Sequence, residues 1–453
     1  MIHTFSINGD NIAVDINSGA IHVFDSLSFD ILSELGNDAS SLKKGCPDRI
    51  INNLEKKYSV NDIKEAYSEI FMLYTDGELY SKPLVMPNID SYTKNTPVKA
   101  LCLHIAHDCN LKCDYCFASK GDFGTGKKLM PFETGKAAID FVIGKSKGRR
   151  NIEVDFFGGE PLMNFETVKK IVDYARTLEK VHNKNFRFTI TTNGVLLDND
   201  KINYINKEMS NVVLSIDGRR DVNDNIRKTL KGIGTYDIIM PKFKELVQKR
   251  DYNNYYVRGT FTSRNLDFSN DVIHLYNEGF DQISVEPAVC DEGEDYAIRK
   301  EHLPAIFKEY EALAKKIADI RKNGGSVNFF HFMMDFNHGP CAIKRIKGCG
   351  SGTEYLSVTP EGNVYPCHQF VGNDKFIVGN VHKEGLCADL TKMFENSNLS
   401  DKRSCDNCFA KYFCCGGCNA NNYNFNENIN IPHDISCEIQ KKRLECAIYL
   451  NII

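Results

Sequence analysis

The feature that most constrains the fold is an alternation of strand-like and helix-like segments between residues 99 and about 325. Amphipathic patterns such as FETGKAAIDFVIGK and FETVKKIVDYARTLEK separate six apolar segments. The strand candidates are ALCLHIAH, IEVDFFGGEP, FRFTITTNG, NVVLSIDG, YYVRGTFTS and DQISVEPA. Repeated strand–helix units predict a parallel sheet with right-handed crossovers. Because six strands are too few for a closed eight-stranded barrel, we expect an α/β fold with a partial, open-sided six-stranded (βα) barrel.

A second constraint is the run HDCNLKCDYCFASKGDFG after the first strand, in which Cys109, Cys113 and Cys116 have the spacing CxxxCxxC. Three soft thiolates this close together can hold three irons of a 4Fe–4S cluster. The fourth iron then lacks a protein ligand, as catalytic zinc sites leave one position open, and a small molecule can bind and react there. On the spacing alone, a zinc knuckle or an electron-carrier cluster is the alternative.

The cysteine content favours metal ligation over disulfides. The chain has 453 residues and 17 cysteines, of which only Cys46 falls in the first hundred residues. The N-terminus lacks a basic segment followed by an apolar run, and no apolar stretch approaches about 18 residues, so we expect a cytoplasmic protein without a membrane partner. A formal net charge of -4 with both signs mixed gives no basic stripe, and we expect no nucleic-acid partner.

Two further regions flank the strand–helix repeats. Residues 1–90 combine the alternating segments HTFSI, NIAVDI and AIHVF with an Asn-Gly-Asp turn and three helical patterns, and predict a small α+β unit. The proline-containing segment 81–99 is typical of a linker. Residues 340–453 are cysteine-rich, with short strands such as YLSVTPEGNVYPC, and we expect metal ligation to supply part of their folding energy.

The CxxxCxxC motif after the first strand, with Tyr115 before its last cysteine and GGEP after the second strand, resembles the radical S-adenosylmethionine (radical SAM) superfamily over residues 99–325. The resemblance implies that the open iron chelates the methionine moiety of S-adenosylmethionine. One electron then cleaves its C–S bond and gives methionine and a 5′-deoxyadenosyl radical. The cofactor-binding residues implied are Tyr115, Phe117, Gly158, Gly159, Glu160, Pro161, Asn193, Ser215, Asp217, Arg258 and Glu286.

The residue types in these positions suit such a ligand. Gly158 and Gly159 have no side chains, so the backbone can approach the ligand closely. Glu160 or the flanking carbonyls can accept a charge-assisted hydrogen bond from the α-ammonium group. Some alternatives stay open: Asp217 equally suits a cap of the next segment, and Arg258 equally suits a solvated surface position.

The C-terminal cysteines resemble the SPASM domain, which implies two auxiliary 4Fe–4S clusters and thus three clusters in all. The first auxiliary set is Cys349, Cys367 and Cys418, with either Cys341 or a substrate thiolate as fourth ligand. The second set is Cys405, Cys408, Cys414 and Cys437. A zinc ribbon is the alternative for this region. The remaining cysteines fit no ligand spacing and are expected to be buried thiols: Cys102, Cys290, Cys387, Cys415 and Cys446.

Residues 1–90 resemble the PqqD-like domains of enzymes that modify ribosomally made peptides. Such a domain binds a leader peptide as an added strand on an exposed sheet edge. The edge expected here consists of Ile21, His22, Val23 and Phe24. A generic winged-helix fold gives the same sequence pattern.

The order of a recognition domain (1–90), a radical SAM partial barrel (99–325) and a SPASM domain (340–453) resembles the peptide maturases. The segments HIAHDCNLKCDYCFASKGDFG and GPCAIKRIKGCGSGTEYLSVTPEGNVYPCHQFVGN resemble the subgroup that matures SCIFF peptides, named for six cysteines in forty-five residues. We therefore expect thioether formation in a cysteine-rich precursor peptide, with an external electron donor. The alternatives are an anaerobic sulfatase maturase that generates formylglycine and a non-catalytic iron–sulfur carrier or scaffold.

Overall fold

The structure, a computed structural model, describes residues 1–37, 39, 42, 44–83, 96–336, 346–383 and 385–453. Most of the expected linker, residues 84–95, lies outside these ranges. The N-terminal part contains strands β1 (Ile2–Ile7), β2 (Asp10–Asp15) and β3 (Ile21–Phe24) and helices α1 (Ser26–Leu35), α2 (Asp48–Leu54) and α3 (Val60–Thr75). The strands form an antiparallel sheet in the order β1-β2-β3. Asn8 and Gly9 both have positive φ, 51° and 97°, which suits the two-residue turn between twisted antiparallel strands.

Both faces of this small sheet are buried, because its strands alternate between two cores. Ile2 and Ala13 pack with the helices of the N-terminal part, whereas Phe5, Ile12 and Val14 belong to the core of the central sheet. The alternation follows the two-residue period of side chains along a strand. Within this sheet β3 is an edge strand.

The centre of the molecule is a mostly parallel sheet. The remaining strands are β4 (Ala100–His107), β5 (Leu111–Cys113), β6 (Lys128–Leu129), β7 (Asn151–Gly158), β8 (Asn185–Thr192), β9 (Met209–Ser215), β10 (Arg227–Thr229), β11 (Tyr255–Phe261), β12 (Gln282–Pro287), β13 (Asn328–Phe329), β14 (Tyr355–Val358), β15 (Asn363–Tyr365) and β16 (Gly379–Asn380). Strands β4, β7, β8, β9, β11 and β12 are parallel neighbours in this order. Within the described sheet β4 and β12 do not pair with each other, so the sheet stays open. The predicted α/β fold with six parallel strands is confirmed.

Helices lie between these strands and cover the outer face of the sheet. They are α4 (Phe132–Lys145), α5 (Phe165–His182), α6 (Asn199–Glu208), α7 (Arg220–Ile226), α8 (Tyr236–Gln248), α9 (Phe268–Asn277) and α10 (Leu303–Lys322), followed in the C-terminal region by α11 (Ala388–Asn396), α12 (Lys411–Cys414), α13 (Asn419–Asn426) and α14 (Asp434–Ile452). On β7, Ile152, Val154 and Phe156 are fully buried, while Asp155 and Phe157 alternate toward the inner face and are half-buried. None of the helices in the described ranges is long and apolar enough to cross a membrane.

The C-terminal region extends the central sheet. Strand β14 pairs in parallel with β4, with Leu356 opposite Leu101, and β15 and β16 continue antiparallel. The short strands were predicted, but their place beside the first barrel strand was not. Helix α14 packs against α10 and β1. At this junction the His3 ring stacks on Phe409 at 3.4 Å, and His3 Nε2 lies 2.9 Å from Glu445 Oε1.

Replacing Phe188 with alanine is expected to lower the free energy of unfolding by about 3–5 kcal/mol, because it leaves a cavity in the central core. Phe188 is fully buried, and its ring stacks on Phe156 at 5.5 Å and on Phe186 at 6.0 Å. Urea unfolding followed by circular dichroism measures the change. F330A is the control, since Phe330 is 53% exposed; equal shifts of the two midpoints would contradict the prediction.

Candidate functional site

The three cysteines of the CxxxCxxC motif lie on a loop that leaves the carboxyl end of β4. A short antiparallel pairing holds the loop, with Cys113 of β5 opposite Arg227 of β10. The Leu111 N–H donates to Cys109 Sγ (3.4 Å), and the Cys116 N–H donates to the Cys113 carbonyl (3.3 Å). Burial raises the pKa of Cys109 to about 12, against the Leu111 hydrogen bond, which lowers it; Glu160 and then Cys113 and Cys116 add to the rise. The loop therefore brings the three predicted ligands of the open cluster together.

The three thiols of the loop suit an iron–sulfur cluster. Among all residues that the structure describes, no three His, Cys, Asp or Glu side chains converge on one metal position. In an iron–sulfur cube each cysteine binds a different iron, so such convergence is not needed. The N–H···S contact at Cys109 is the kind of hydrogen bond that tunes cluster sulfurs. The cysteines would hold the cluster, and S-adenosylmethionine would bind beside it.

The glycines of the GGEP motif lie directly against the cysteine loop. A Cβ on Gly158 would lie 2.3 Å from the Ala106 carbonyl oxygen, and one on Gly159 would lie 2.2 Å from the Asp108 carbonyl oxygen. Gly158 also has a φ of 127°, a conformation that side-chain-bearing residues rarely adopt. The Glu160 N–H donates to the Asp108 carbonyl (2.9 Å). The turn after β7 therefore requires glycine in order to reach the loop after β4.

Glu160 lies at the centre of these strand ends and is fully buried. Its Oε1 accepts from the Leu162 N–H (3.0 Å) and the Thr192 hydroxyl (2.8 Å), and its Oε2 accepts from the Asn193 N–H (2.7 Å). Pro161 begins the 3₁₀ turn that Glu160 caps. Burial raises the pKa of Glu160 to about 7, against the three hydrogen bonds, which lower it. As placed, the carboxylate joins the end of β7 to the end of β8.

Asn193 holds the cysteine loop from the end of β8. Its Nδ2 donates to Asn110 Oδ1 (2.8 Å) and lies 3.7 Å from Cys109 Sγ. Its Oδ1 accepts from the Val195 N–H (3.1 Å). Sequence reasoning did not find Asn110, because nothing in its spacing distinguishes it from the rest of the loop.

Tyr115 and Asp217, both predicted near the cofactor, contact each other. The Tyr115 hydroxyl donates to Asp217 Oδ1 (2.7 Å), Arg227 Nε lies 3.1 Å from the same oxygen, and the Thr260 N–H donates to it (2.9 Å). Asp217 is fully buried and does not cap the next helix, since the N-cap of α7 is Arg219. The capping alternative is therefore wrong. Because Tyr115 directly precedes Cys116, these contacts also position the last cysteine of the loop.

Ser215, Arg258 and Glu286 lie on the inner face of the barrel. Ser215 and Arg258 are register neighbours on β9 and β11, so their side chains share a face. Glu286 Oε2 lies 2.8 Å from His331 Nε2 and 3.2 Å from Arg443 Nη2. Burial raises the pKa of Glu286, but His331, Arg443 and then Arg258 hold it well below its usual range. Glu286 ties the sixth barrel strand to α14, and Arg258 is an exposed residue of β11.

Phe117, predicted to contact the adenine, belongs to an aromatic cluster between the cysteine loop and the C-terminal region. It is 57% exposed. Its ring centroid lies 6.3 Å from Phe157, 5.9 Å from Phe123 and 5.8 Å from His368. His368 directly follows Cys367. The exposed ring is therefore available for stacking, next to a C-terminal cysteine of the SPASM pattern.

The C-terminal cysteines gather into two groups. Burial and then Cys418, with a smaller effect of Cys349, raise the pKa of Cys367. Burial and then three neighbouring cysteines raise the pKa of Cys437 to about 12. The first group is Cys349, Cys367 and Cys418, and the second is Cys405, Cys408, Cys414 and Cys437. The grouping matches the two ligand sets that the SPASM resemblance implies; Cys341 lies outside the described residues.

The backbone around these groups suits thiolate ligands. Cys415, Gly416 and Gly417 have successive positive φ values of 61°, 79° and 79°, an arrangement that directs consecutive N–H groups toward one anion. Burial raises the pKa of Cys414, while backbone hydrogen bonds from Gly417 and Gly416 lower it. Donors of this kind stabilise the deprotonated sulfur that binds iron.

Five cysteines were expected to be buried thiols outside the ligand sets. Cys102, Cys415 and Cys446 are buried, as expected. Cys290 is half-buried and Cys387 is exposed, so the expectation is wrong for these two. A residue that merely lacks a ligand spacing carries no signal for burial, because small thiols are tolerated in loops as well as in cores.

The expected leader-binding edge coincides with β3, the edge strand of the N-terminal sheet. Val23 is 55% exposed. His22 Nε2 lies 3.4 Å from the Glu78 carbonyl oxygen, in the segment after α3. The four residues Ile21, His22, Val23 and Phe24 are therefore at an open edge beside the end of a helix.

Comparison with known families identifies both cysteine-bearing regions. The model of the radical SAM superfamily matches residues 103–261, and the model of the SPASM iron–sulfur cluster-binding domain matches residues 349–419. The cysteine-type anaerobic sulfatase-maturating enzyme of Clostridium novyi (strain NT) is 25% identical over 359 residues, which cover 75% of this chain and 92% of that enzyme. The enzyme of the same name from Clostridium perfringens (strain 13 / Type A) is 24% identical over 349 residues, which cover 71% and 89%.

Two groups of solved structures share the fold. The structure of anSMEcpe with bound AdoMet and a peptide has a TM-score of 0.64 and 21% identity and covers 79% of this chain and 98% of that chain. The structure of Streptococcus suis SuiB bound to the precursor peptide SuiA has a TM-score of 0.54 and 15% identity and covers 96% of this chain and 98% of that chain. These domains imply iron–sulfur clusters and S-adenosylmethionine as cofactors. The chain therefore carries a radical SAM domain followed by a SPASM domain in one fold.

Proposed function

We propose that this protein is a peptide maturase that acts on a ribosomally made, cysteine-rich precursor peptide. We propose that it forms thioether bonds between a cysteine sulfur and a carbon of another residue, with threonine as the candidate residue. The observation that carries the proposal is the open edge strand β3 in an N-terminal unit attached to the catalytic core. The likeness to SuiB, whose structure holds a precursor peptide, extends over 96% of the chain, whereas that to anSMEcpe extends over 79%. These findings support a leader-binding role for residues 1–90.

The hydrogen-bond pattern of the N-terminal sheet supports strand addition at β3. The Asp15 N–H donates to the Ala20 carbonyl (2.9 Å), and the register pairs Ala13 with His22. Hydrogen-bonded pairs alternate along an antiparallel ladder, so His22 directs its backbone groups toward β2. Val23 therefore directs its N–H and C=O toward the open edge, where an extended peptide can pair with them.

The residues of the core have defined roles in this proposal. Cys109, Cys113 and Cys116 hold the catalytic cluster, and the carbonyls flanking Glu160 accept from the α-ammonium group of S-adenosylmethionine. Ser215 and Arg258 hydrogen-bond the carboxylate or ribose, and Phe117 stacks on the adenine. Bound S-adenosylmethionine supplies the 5′-deoxyadenosyl radical that abstracts a hydrogen atom from the substrate. The inner face of the barrel excludes water and stray C–H bonds from this radical.

The reaction breaks one substrate C–H bond and one cysteine S–H bond and forms one C–S bond. In this scheme the hydrogen atom would leave with the 5′-deoxyadenosyl group and the thiol proton would leave to solvent. The auxiliary clusters, which the two C-terminal cysteine groups would hold, would take up the remaining electron. An external electron donor supplies the electron that starts each turnover. The fourth ligand of the first auxiliary cluster is either Cys341 or the substrate thiolate.

A formylglycine-generating sulfatase maturase is the second candidate. The observation that favours it is the 25% identity over 92% of the Clostridium novyi enzyme. This candidate converts a single cysteine into an aldehyde and forms no cross-link. It also needs no leader-binding edge, so the two candidates differ both in product and in the role of β3.

Incubation of the protein with reductant, S-adenosylmethionine and a precursor peptide rich in cysteine is expected to lower the peptide mass by two hydrogen atoms for each bridge. Tandem mass spectrometry after thiol alkylation measures the mass and shows which cysteines no longer react. A sulfatase-derived peptide with a single cysteine is the control substrate. An aldehyde product would support the second candidate, and unchanged mass with intact cofactor cleavage would reject both substrate classes.

Replacing Val23 with proline is expected to weaken leader-peptide binding at least about tenfold, because it removes an outward N–H and places a ring at the edge. Proline is tolerated on an edge strand where its missing N–H faced solvent, so the sheet is expected to stay folded. Fluorescence anisotropy with a labelled leader peptide measures the affinity. V23A keeps the N–H and is the control; equal affinities of V23P and V23A would exclude strand addition at β3.

Replacing Gly159 with alanine is expected to lower 5′-deoxyadenosine formation about 100-fold, because its Cβ would lie 2.2 Å from the Asp108 carbonyl oxygen and displace the cysteine loop. Chromatography of 5′-deoxyadenosine after reduction with dithionite measures the rate. G144A is the control, since no atom lies within 4 Å of a Cβ built on Gly144. Wild-type rates in G159A would contradict the proposed contact.

A further inference from the structure

Lys402 is a buried lysine to which the described part of the chain offers no carboxylate partner, and it lies just before Cys405. The residue is 3% exposed. Its Nζ donates to the carbonyls of Cys415 (3.4 Å) and Gly416 (3.1 Å) and to Asn419 Oδ1 (3.2 Å). Within the described residues these neutral oxygens are its hydrogen-bond acceptors. Burying an ammonium group is costly unless an anion compensates its charge.

The groups that can compensate Lys402 are cysteines from both auxiliary sets. Burial lowers the pKa of Lys402, whereas Cys405 and Cys414 of the second set and Cys349 of the first set act in the opposite direction. A cysteine binds iron as the thiolate. The positive charge of Lys402 is therefore placed near both sets of cysteines at which anionic clusters are expected.

The position of Lys402 is built into the local backbone. A Cβ on Gly416 would lie 2.1 Å from Lys402 Cδ, so the lysine stem fills the space that a side chain at 416 would take. Asn419 Nδ2 donates to Ser351 Oγ (3.1 Å), which orients its Oδ1 toward the ammonium group. The Cys405 N–H donates to the Lys402 carbonyl (2.7 Å). The same residue thus contacts the segments that carry both cysteine sets.

We propose that Lys402 is a shared counter-cation of the two auxiliary clusters and raises the reduction potentials of both. A cube held by thiolates is anionic, and one-electron reduction adds a further negative charge. A fixed positive charge nearby, in a buried setting, stabilises the reduced form more than the oxidised form. Lys402 then favours passage of the electron that the substrate releases into these clusters. The inference rests on the proposed auxiliary clusters but not on thioether chemistry.

The test measures midpoint potentials in full-length protein in which Cys109, Cys113 and Cys116 are replaced by alanine, so that only the auxiliary clusters remain. Potentiometric titration with dithionite and mediators, followed by electron paramagnetic resonance, gives both potentials without peptide or S-adenosylmethionine. K402Q removes the charge. N419D keeps the lysine and neutralises it with an isosteric carboxylate. K402R keeps the charge.

Lys184 offers a matched control. It is also a buried lysine, 8% exposed, whose Nζ donates to the carbonyls of Lys147 (2.6 Å) and Arg149 (2.8 Å). Burial alone lowers the pKa of Lys184, with no cysteine contribution. K184Q therefore removes the charge of a buried lysine whose pKa no cysteine influences.

We expect both potentials to fall in K402Q and N419D and to stay unchanged in K402R and K184Q. Loss of auxiliary iron from K402Q and N419D, with full iron content in K402R and K184Q, would support the same charge requirement. Unchanged potentials in K402Q and N419D, or a fall for one cluster only, would overturn the shared role. Because no substrate is present, these results are independent of the outcome of the peptide-modification assay.

Discussion

The contact on which the site depends is the approach of the Gly158–Gly159 turn to the backbone of the cysteine loop. A side chain on Gly159 would meet the Asp108 carbonyl oxygen at 2.2 Å, so the two loops come together at the distance of bare backbone. Glu160 stabilises this close contact, because its buried carboxylate accepts hydrogen bonds from the segment after β7 and from the end of β8. Asn193 then reaches back to the cysteine loop. Three strand ends are thereby locked together before any cofactor binds, which is the preorganisation that radical chemistry requires.

The sequence predicted those parts of the molecule that local patterns encode. Strand periodicity located the six parallel strands, and fixed cysteine spacings located residues that the fold then gathers into groups. What the sequence could not predict were partners separated by long stretches of chain. Arg227 pairs with Asp217 and Arg443 pairs with Glu286, and the two arginines belong to segments with no motif. Glu160 illustrates the same limit of prediction. Its GGEP motif can be recognised in the sequence, but the hydrogen-bond donors from β8 that accompany its burial cannot.

The N-terminal unit is the part of the molecule on which the two candidate functions make different demands. Its sheet is buried on both faces, through Ile2 and Ala13 on one side and Phe5, Ile12 and Val14 on the other. A sheet sealed in this way offers further partners only its edges, and an unpaired edge is a liability unless it is covered or used. The exposure of Val23 therefore fits the first candidate, which pairs with an extended leader peptide, better than it fits a sulfatase maturase that needs no leader-binding edge.

The pairing of β14 with β4 has a consequence for how a reaction spanning both halves can proceed. One uninterrupted ladder of main-chain hydrogen bonds runs from the barrel into the C-terminal segment, so the two halves cannot hinge apart without tearing a sheet. The shared ladder therefore limits how far the cysteine loop after β4 and the C-terminal cysteine groups can move apart. Under the proposed thioether chemistry, the substrate chain itself would have to bridge these two places, and the length of its loops would decide which residues can be joined.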